Sequence, residues 1–166
     1  MSQRARPLAY LLFAIGAFAA AAAPAQDDPS GYPATPLKTS WVEFHGHRYA
    51  VEVASTDPAR ARGLMFRDRM PADHGMIFIH ESERPLSYWM KNTHIPLDIF
   101  YFDAHRRLVS VSRNTPPCNL GNLCPPFASE GPALYVLELN AGIADRVHAK
   151  KGDPLKFGPG IAPSTP

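Results

Sequence analysis

The feature that most constrains the fold is a series of short apolar runs, each bounded by turn-forming residues. In one run Tyr49, Val51 and Val53 alternate with Arg48, Ala50 and Glu52, and this two-residue period is typical of a half-buried antiparallel strand. Runs of four to eight such residues predict strands rather than helices. The predicted strands span residues 41–44, 48–54, 75–80, 86–90, 97–102, 108–112, 133–139 and 154–157.

Two short helices are predicted between these strands. Thr56 can cap a helix that has Pro58 in its first turn and is interrupted by Gly63. Asn140 can cap a second helix over residues 141–149. Many short strands with two short helices predict a compact, mostly β (α+β) domain.

The first 25 residues have the pattern of a secretory signal peptide. Arg4 and Arg6 precede an apolar run over residues 8–23, and the Ala-Pro-Ala at residues 23–25 offers a cleavage site. The alternative is an uncleaved membrane anchor, because the apolar run is nearly long enough to span a bilayer. We favour cleavage, which predicts a periplasmic or secreted protein with no stable membrane span.

Cleavage would leave 141 of the 166 residues, which suits a single domain. We expect a linker over residues 26–39, one domain over residues 40–158 and a flexible tail over residues 159–166. Arg4 and Arg6 account for the whole formal net charge of +2, so the mature chain is formally neutral. Its composition therefore gives no electrostatic reason to expect nucleic acid as a partner.

Both cysteines, Cys118 and Cys124, lie in a proline-rich stretch over residues 113–132 that is predicted to be a long loop. In an oxidising compartment such a pair is typical of a structural disulfide. A redox pair usually has two intervening residues rather than five, and a zinc site needs more ligands nearby. The sequence therefore predicts a disulfide in this loop.

No metal or cofactor is predicted. The seven histidines lack the spacing of a metalloprotease motif or of a zinc finger, and most are expected at the surface. A weak metal site at His45 and His47, which flank a glycine, is the alternative that this pattern leaves open.

Polar groups concentrate in the run over residues 87–103, between two apolar strands. Lys91, Asn92 and Thr93 supply an ammonium, an amide and a hydroxyl on one predicted turn, next to Trp89 and Met90. Turns between buried strands often carry function. The alternative is a purely structural role, because Asn and Thr side chains commonly bond to their own backbone in turns.

Two carboxylates, Asp98 and Glu138, interrupt apolar strands, where a charged side chain is rarely buried without a partner. They could form an acid/base pair whose environments separate their pKa values. They could equally form ion pairs with Arg62, Arg67 or Lys91, or accept hydrogen bonds from backbone N–H groups. Structural pairing is favoured, because the chain has no nucleophile elbow and no phosphate-binding glycine loop.

Five motifs occur in the order and spacing of one known domain. They are Arg62-Gly-Leu-Met-Phe-Arg67, Gly75-Met-Ile-Phe78, Trp89-Met-Lys-Asn-Thr93, Ile95-Pro-Leu-Asp-Ile99 and Tyr135-Val-Leu-Glu-Leu-Asn-Ala-Gly142. From about Trp41 to Phe157 the chain resembles the domain-of-unknown-function family 192, also called uncharacterised protein family 0127. The resemblance implies a mixed, partly closed barrel-like sheet of about seven or eight strands with short helices. It also implies that members are often exported or membrane-associated in bacteria, and it implies no reaction.

The function predicted from these observations is that of an accessory envelope protein that binds a small polar ligand or a segment of a partner protein. The predicted contacts are Trp89, Met90, Lys91, Asn92, Thr93, Asp98 and Glu138. One alternative is a hydrolase-like enzyme that uses Asp98 and Glu138. A second alternative is a structural interaction module whose contact surface is the loop over residues 113–132.

Overall fold

The structure, a computed structural model, describes residues 36–161. The predicted signal peptide, residues 26–35 of the predicted linker and residues 162–166 of the predicted tail lie outside this range. No helix within the described range is long and apolar enough to cross a membrane.

The described residues form one curled, half-barrel sheet of seven strands with two short α-helices, which confirms the predicted fold class. The strand order across the sheet is β5-β4-β6-β3-β2-β1-β7. The strands are β1 (Lys38–Phe44), β2 (His47–Ala54), β3 (His74–Trp89), β4 (Leu97–Phe102), β5 (Leu108–Thr115), β6 (Pro126–Asn140) and β7 (Leu155–Phe157). The helices are α1 (Asp57–Arg62) and α2 (Ile143–Arg146).

β3 and β6 are longer than predicted, and they pair with each other. β3 joins two predicted strands, because register shifts after Ile79 absorb the charged residues that interrupt its apolar pattern. β6 begins at Pro126, inside the predicted loop, and β5 extends to Thr115. The prediction of a loop over residues 113–132 was therefore wrong in extent, and the segment between the strands is limited to residues 116–125.

β3 and β4, which flank the polar turn, do not pair with each other. β6 lies between them and is antiparallel to both. β3 ends beside Pro126 and β4 begins beside Asn140, so the turn belongs to a crossover that runs along β6 from one end to the other instead of closing a hairpin. This crossover positions the turn beside the face of β6 that carries Glu138.

Apolar side chains cover both faces of the sheet. One face carries Phe44, Phe100, Phe102, Tyr135 and Leu137, and the other carries Met76, Phe78, Ile99, Tyr101 and Val136. Asp98 pairs with Leu139, whereas Glu138 pairs with Ile99. Because side chains alternate along a strand, Asp98 and Glu138 point to opposite faces.

The two helices begin differently from each other. α1 is capped as predicted, because the Thr56 hydroxyl oxygen accepts a hydrogen bond from the Ala59 amide at 3.4 Å. α2 is shorter than predicted, and Asn140 does not cap it. The Asn140 side-chain amide instead donates to the backbone oxygens of Met70 and Pro71, at 3.1 and 3.0 Å.

Ordered packing extends beyond the predicted domain limits of 40 and 158. β1 begins at Lys38, which was placed in the linker. At the other end Ile161 is buried, and the Ser40 hydroxyl donates to the Pro159 oxygen at 2.6 Å. Residues 159–161, which were placed in the flexible tail, therefore pack against the sheet.

Candidate functional site

A cavity of about 440 Å³ lies between α1, β3 and the polar turn. Its volume falls within the range of small-molecule sites. The apolar part of its lining comes from Leu64, Met65, Phe78 and Trp89. We call it the Glu138 cavity, after the one buried carboxyl that lines it.

Glu138 is 4% exposed and lies near the C-terminal end of β6. Among residues 36–161, no hydrogen bond or ion pair involves its carboxyl group. Burial raises the pKa of Glu138 to about 8, because the charged form has lost its water. The group is therefore mostly a protonated carboxylic acid at pH 7, which can donate one hydrogen bond and accept another.

His80 and Tyr88, both on β3, form a second polar pair in the cavity. The His80 Nε2 and the Tyr88 hydroxyl oxygen are 2.9 Å apart. The other ring nitrogen, Nδ1, is buried without a hydrogen-bond partner in the described part of the chain. Burial, and then repulsion by Arg60 and Arg84, lowers the pKa of His80 to about 4, so the ring is neutral at pH 7. Burial, and then the Glu138 carboxyl, raises the pKa of Tyr88.

The charged lining is mostly basic. It consists of Arg60, Arg62, Arg84 and Lys91, with Asp57 as the acidic member besides Glu138. Arg60 donates to the backbone oxygens of Ser55 and Ile79, at 2.9 and 2.8 Å, and also pairs with Asp57. Because Glu138 is uncharged at pH 7, these cations outnumber the anions around the cavity.

The polar turn supplies the rim. Asn92 has a left-handed backbone (φ 54°), and the Thr93 amide donates to the Met90 oxygen at 3.0 Å. Lys91 Nζ lies 5.0 Å from the Trp89 ring centroid and donates to the Asn122 side-chain oxygen at 2.7 Å. The turn is therefore both a structural turn and a wall of the cavity.

The predicted disulfide between Cys118 and Cys124 is confirmed, with Cα atoms 5.9 Å apart. The Cys118 amide donates to the Thr93 oxygen at 3.3 Å, and Asn122, which contacts Lys91, lies within the disulfide-closed ring. The disulfide thus fixes a loop that packs directly against the rim.

The structure brings five of the seven predicted contact residues to one cavity, namely Trp89, Lys91, Asn92, Thr93 and Glu138. Met90 does not line it, because its side chain is 1% exposed and packs in the core. Asp98 does not line it either. Its two carboxylate oxygens accept hydrogen bonds from the Asn114 and Ala144 amides, each at 2.7 Å.

Two pairings considered from the sequence are not formed. Asp98 and Glu138 face opposite sides of the sheet and do not form an acid/base pair. Arg67 contacts neither carboxylate but pairs with Glu52 at 2.6 Å. Of the three explanations proposed for the buried acids, backbone N–H bonding is the one that holds for Asp98.

In the histidine pair considered as a weak metal site, His45 pairs with a carboxylate. The His45 Nε2 contacts the Asp153 carboxylate at 2.6 Å. Among the residues that the structure describes, no group of three or more His, Cys, Asp or Glu side chains is arranged to hold a metal ion.

Sequence reasoning missed the β3 side of the cavity. His80, Arg84 and Tyr88 line it together, but the predicted gap between two strands separated them. No local period joined them, because register shifts after Ile79 and after Pro85 interrupt the two-residue alternation along β3.

A family model covers residues 40–157, described as uncharacterized ACR and designated DUF192. The chain belongs to the DUF192 family. This confirms the resemblance based on the five motifs. The family description states no activity, so function must be argued from the cavity.

Two solved structures are similar to the chain. A candidate transcription regulator from Sinorhizobium meliloti 1021 is 34% identical, with a TM-score of 0.68 over 74% of this chain and 96% of that one. A protein of unknown function from Novosphingobium aromaticivorans DSM 12444 is 36% identical, with a TM-score of 0.64 over 82% of this chain and 94% of that one. No curated protein matches the sequence.

Proposed function

We propose that this chain is an exported accessory protein that binds a small polar ligand in the Glu138 cavity. One observation carries the proposal: the Glu138 carboxyl is buried, lines the cavity and has no hydrogen-bond partner within residues 36–161. Buried polar groups are nearly always satisfied, so an exception that faces a cavity needs an explanation.

A bound ligand supplies that explanation. An unsatisfied buried donor or acceptor costs about 1–3 kcal/mol, and besides the Glu138 carboxyl the cavity is lined by His80, whose Nδ1 is such an atom. A polar molecule that bonds to both groups recovers part of this cost on binding. Groups with strongly perturbed pKa values in a cleft also mark functional sites, and Glu138 and His80 are both shifted, to about 8 and about 4.

Export rests on two features. The first 25 residues have the charged start, apolar run and small-residue site of a secretory signal. The disulfide between Cys118 and Cys124 suits an oxidising compartment. Together they support a periplasmic or secreted protein whose cavity faces molecules of the cell envelope or the medium.

The proposal can be tested on the full chain, expressed with its own leader and purified from the periplasm of a bacterial host. Benzoate, benzamide, glucose, phenyl phosphate and choline serve as anionic, neutral and cationic probes. Thermal unfolding and tryptophan fluorescence report binding. Trp89 lines the cavity and Trp41 does not, so Trp89→Phe should remove the fluorescence response and Trp41→Phe should retain it.

We expect at least one probe to raise Tm in the wild-type protein and not in Glu138→Leu. The Glu138→Leu variant replaces the carboxyl group with an apolar side chain of similar size. A panel in which no probe shifts Tm, or in which Glu138→Leu responds like the wild-type protein, would overturn the proposal.

A second candidate function is that of an interaction module. Its support is the exposure of Leu120 and Leu123, which are 62% and 82% exposed on the disulfide-closed ring. Chemical cross-linking in the native envelope compares the wild-type protein with Leu120→Ser/Leu123→Ser. An unchanged set of cross-linked partners would remove this candidate.

A further inference from the structure

The Glu138 cavity combines neutral polar groups with cations. The Glu138 side chain is buried and the His80 ring is half-buried, whereas Arg84 is exposed and Arg60 and Lys91 are of intermediate exposure. The three cations are not fully neutralised by neighbouring acids. Lys91 donates to an amide oxygen, and among the described residues Arg84 forms no hydrogen bond or ion pair.

Arg60 is the cation most constrained by neighbours. Its side chain is 12% exposed, and it is held by two backbone carbonyl oxygens and by Asp57, with the Glu81 carboxylate 3.9 Å away. The carbonyl oxygens carry no charge, and the Asp57 and Glu81 side chains are 88% and 86% exposed, so their fields are screened by solvent. A net positive potential therefore remains at the opening of the cavity.

On the basis of the proposed function, we propose that the ligand is a small organic oxyanion with a neutral carbonyl group. Its anionic end lies at the Arg84 and Lys91 rim, and its carbonyl oxygen accepts a hydrogen bond from Glu138. The apolar body between the two ends packs against Phe78 and Trp89. Either a carboxylate or a phosphate monoester can supply the anionic end.

The opposite orientation is disfavoured. Moving an anion to the buried end would strip its water beside Arg60, a cation that two backbone carbonyl oxygens and Asp57 already hold, so less compensation is available there than at the rim. The same anion would also lie close to Glu138 and repel its ionised form. A carbonyl oxygen, in contrast, needs only a hydrogen-bond donor, and the protonated Glu138 carboxyl supplies one.

Affinity should depend on pH through the Glu138 proton. The titratable and charged groups that share the cavity lining with this carboxyl, or interact with it electrostatically, come from every element around it: His80, Arg84 and Tyr88 from β3, Tyr101 from β4, Asp57, Arg60 and Arg62 from α1, and Lys91 from the turn. Among them, His80 titrates near pH 4. Burial raises the pKa of Glu138 to about 8, so the donor is present at pH 6 and is lost as the pH rises above 8.

Matched pairs of probes test the inference by isothermal titration calorimetry. One pair is N-benzoylglycine and its amide, and another is 4-oxopentanoate and its amide. Within each pair the carbonyl and the apolar body are the same, and only the anionic charge differs. Dihydroxyacetone phosphate and dihydroxyacetone form a third pair, which separates phosphate from carboxylate recognition.

We expect the anionic member of at least one pair to bind about tenfold more tightly than its neutral partner. High salt should lower the affinity for the anionic member alone. Arg84→Gln should reduce that preference several-fold. Arg106→Gln, which changes an arginine outside the cavity, should not. Affinity for the acid should fall between pH 6 and pH 9 in the wild-type protein but not in Glu138→Gln.

Equal affinity for the acid and its amide would overturn the inference and leave the proposed binding function intact. Absence of binding by both members of every pair would also overturn it, and the broader probe panel then decides the proposed function separately.

Discussion

Asp98 and Glu138 look alike in the sequence and differ in the structure. Each is an acid inside an apolar strand, and each is almost completely buried, at 0% and 4% exposed. The Asp98 oxygens both accept backbone N–H bonds at 2.7 Å. Within residues 36–161 the Glu138 carboxyl accepts none, and it borders a cavity. One acid is thus part of the scaffold, whereas the other is available to a ligand.

The difference shows how a β-sheet separates structural from functional groups. Asp98 on β4 pairs with Leu139 on β6, the residue next to Glu138. Because side chains alternate along a strand, the two acids lie on opposite faces. On the Asp98 face, α2 begins at Ile143 and supplies the Ala144 amide as a donor. On the Glu138 face, the space is left open between α1 and the polar turn. Burial alone therefore does not reveal a role, but the presence or absence of partners does.

The largest expected effect comes from removing the charge of each acid at constant size. Asp98→Asn replaces one acceptor oxygen with an NH₂ group, which faces a backbone N–H donor in a fully buried site. The new NH₂ group and the backbone N–H that it faces are then both orphaned, at about 1–3 kcal/mol each, so we expect a loss of about 4 kcal/mol in the free energy of unfolding. Glu138→Gln breaks no hydrogen bond and should change this free energy by less than about 1 kcal/mol at pH 5.

Urea unfolding of both variants at pH 5 measures this contrast. Equal losses in the two variants would show that Glu138 has structural partners like those of Asp98, and the comparison would fail.

The next largest effect should appear when the same Glu138→Gln variant is unfolded across pH. The folded-state pKa of Glu138 is raised from 4.5 to about 8. Between these values the unfolded chain has released the proton and the folded chain keeps it, so wild-type stability falls as the pH rises. One pH unit corresponds to about 1.4 kcal/mol. We expect Glu138→Gln to gain about 3 kcal/mol relative to the wild-type protein between pH 5 and pH 8.

His80 is present in both proteins, so its own titration cancels in the difference. A difference that does not change between pH 5 and pH 8 would mean that Glu138 is ionised in the folded protein. The hydrogen-bond donor required by the proposed ligand would then be absent.

Sequence reasoning located the local parts of the site. Trp89 and the Lys91–Thr93 turn were identified because they are adjacent in the chain and lie at the end of an apolar run. It could not distinguish Asp98 from Glu138, because their roles depend on the register between β4 and β6. That register is set by long-range pairing, which local periodicity does not encode.

The same limit applies to the fold. Alternating apolar residues predicted most of the strands, but not the position of β6 between β3 and β4. The cap at Asn140 was wrong for a related reason, since its side chain bonds to Met70 and Pro71, which are distant in sequence.

A smaller effect should follow from removing the disulfide, whose loop packs against the rim of the Glu138 cavity. The ring is short, with a sequence separation of six residues, so the chain-entropy model gives a loss of about 2 kcal/mol for Cys118→Ala/Cys124→Ala. Hydrogen exchange should localise the loss. The residue 118 amide, bonded to Thr93, should exchange faster, whereas the Asn114 amide, bonded to Asp98, should stay protected. Equal loss of protection at both amides would show that the two regions are not independent.

The smallest effect is expected from Tyr88→Phe, which removes the hydroxyl that contacts His80 Nε2. Because the cavity can admit water to replace that contact, we expect a loss of about 1 kcal/mol in urea unfolding. Tyr101→Phe is the matched control. Tyr101 is fully buried and its hydroxyl donates to the Phe127 oxygen at 2.7 Å, so its removal should cost more, about 2 kcal/mol. If Tyr88→Phe were instead as costly as Asp98→Asn, the cavity groups would be scaffold like Asp98. The lack of hydrogen-bond partners for the Glu138 carboxyl within residues 36–161 would then no longer indicate a binding site.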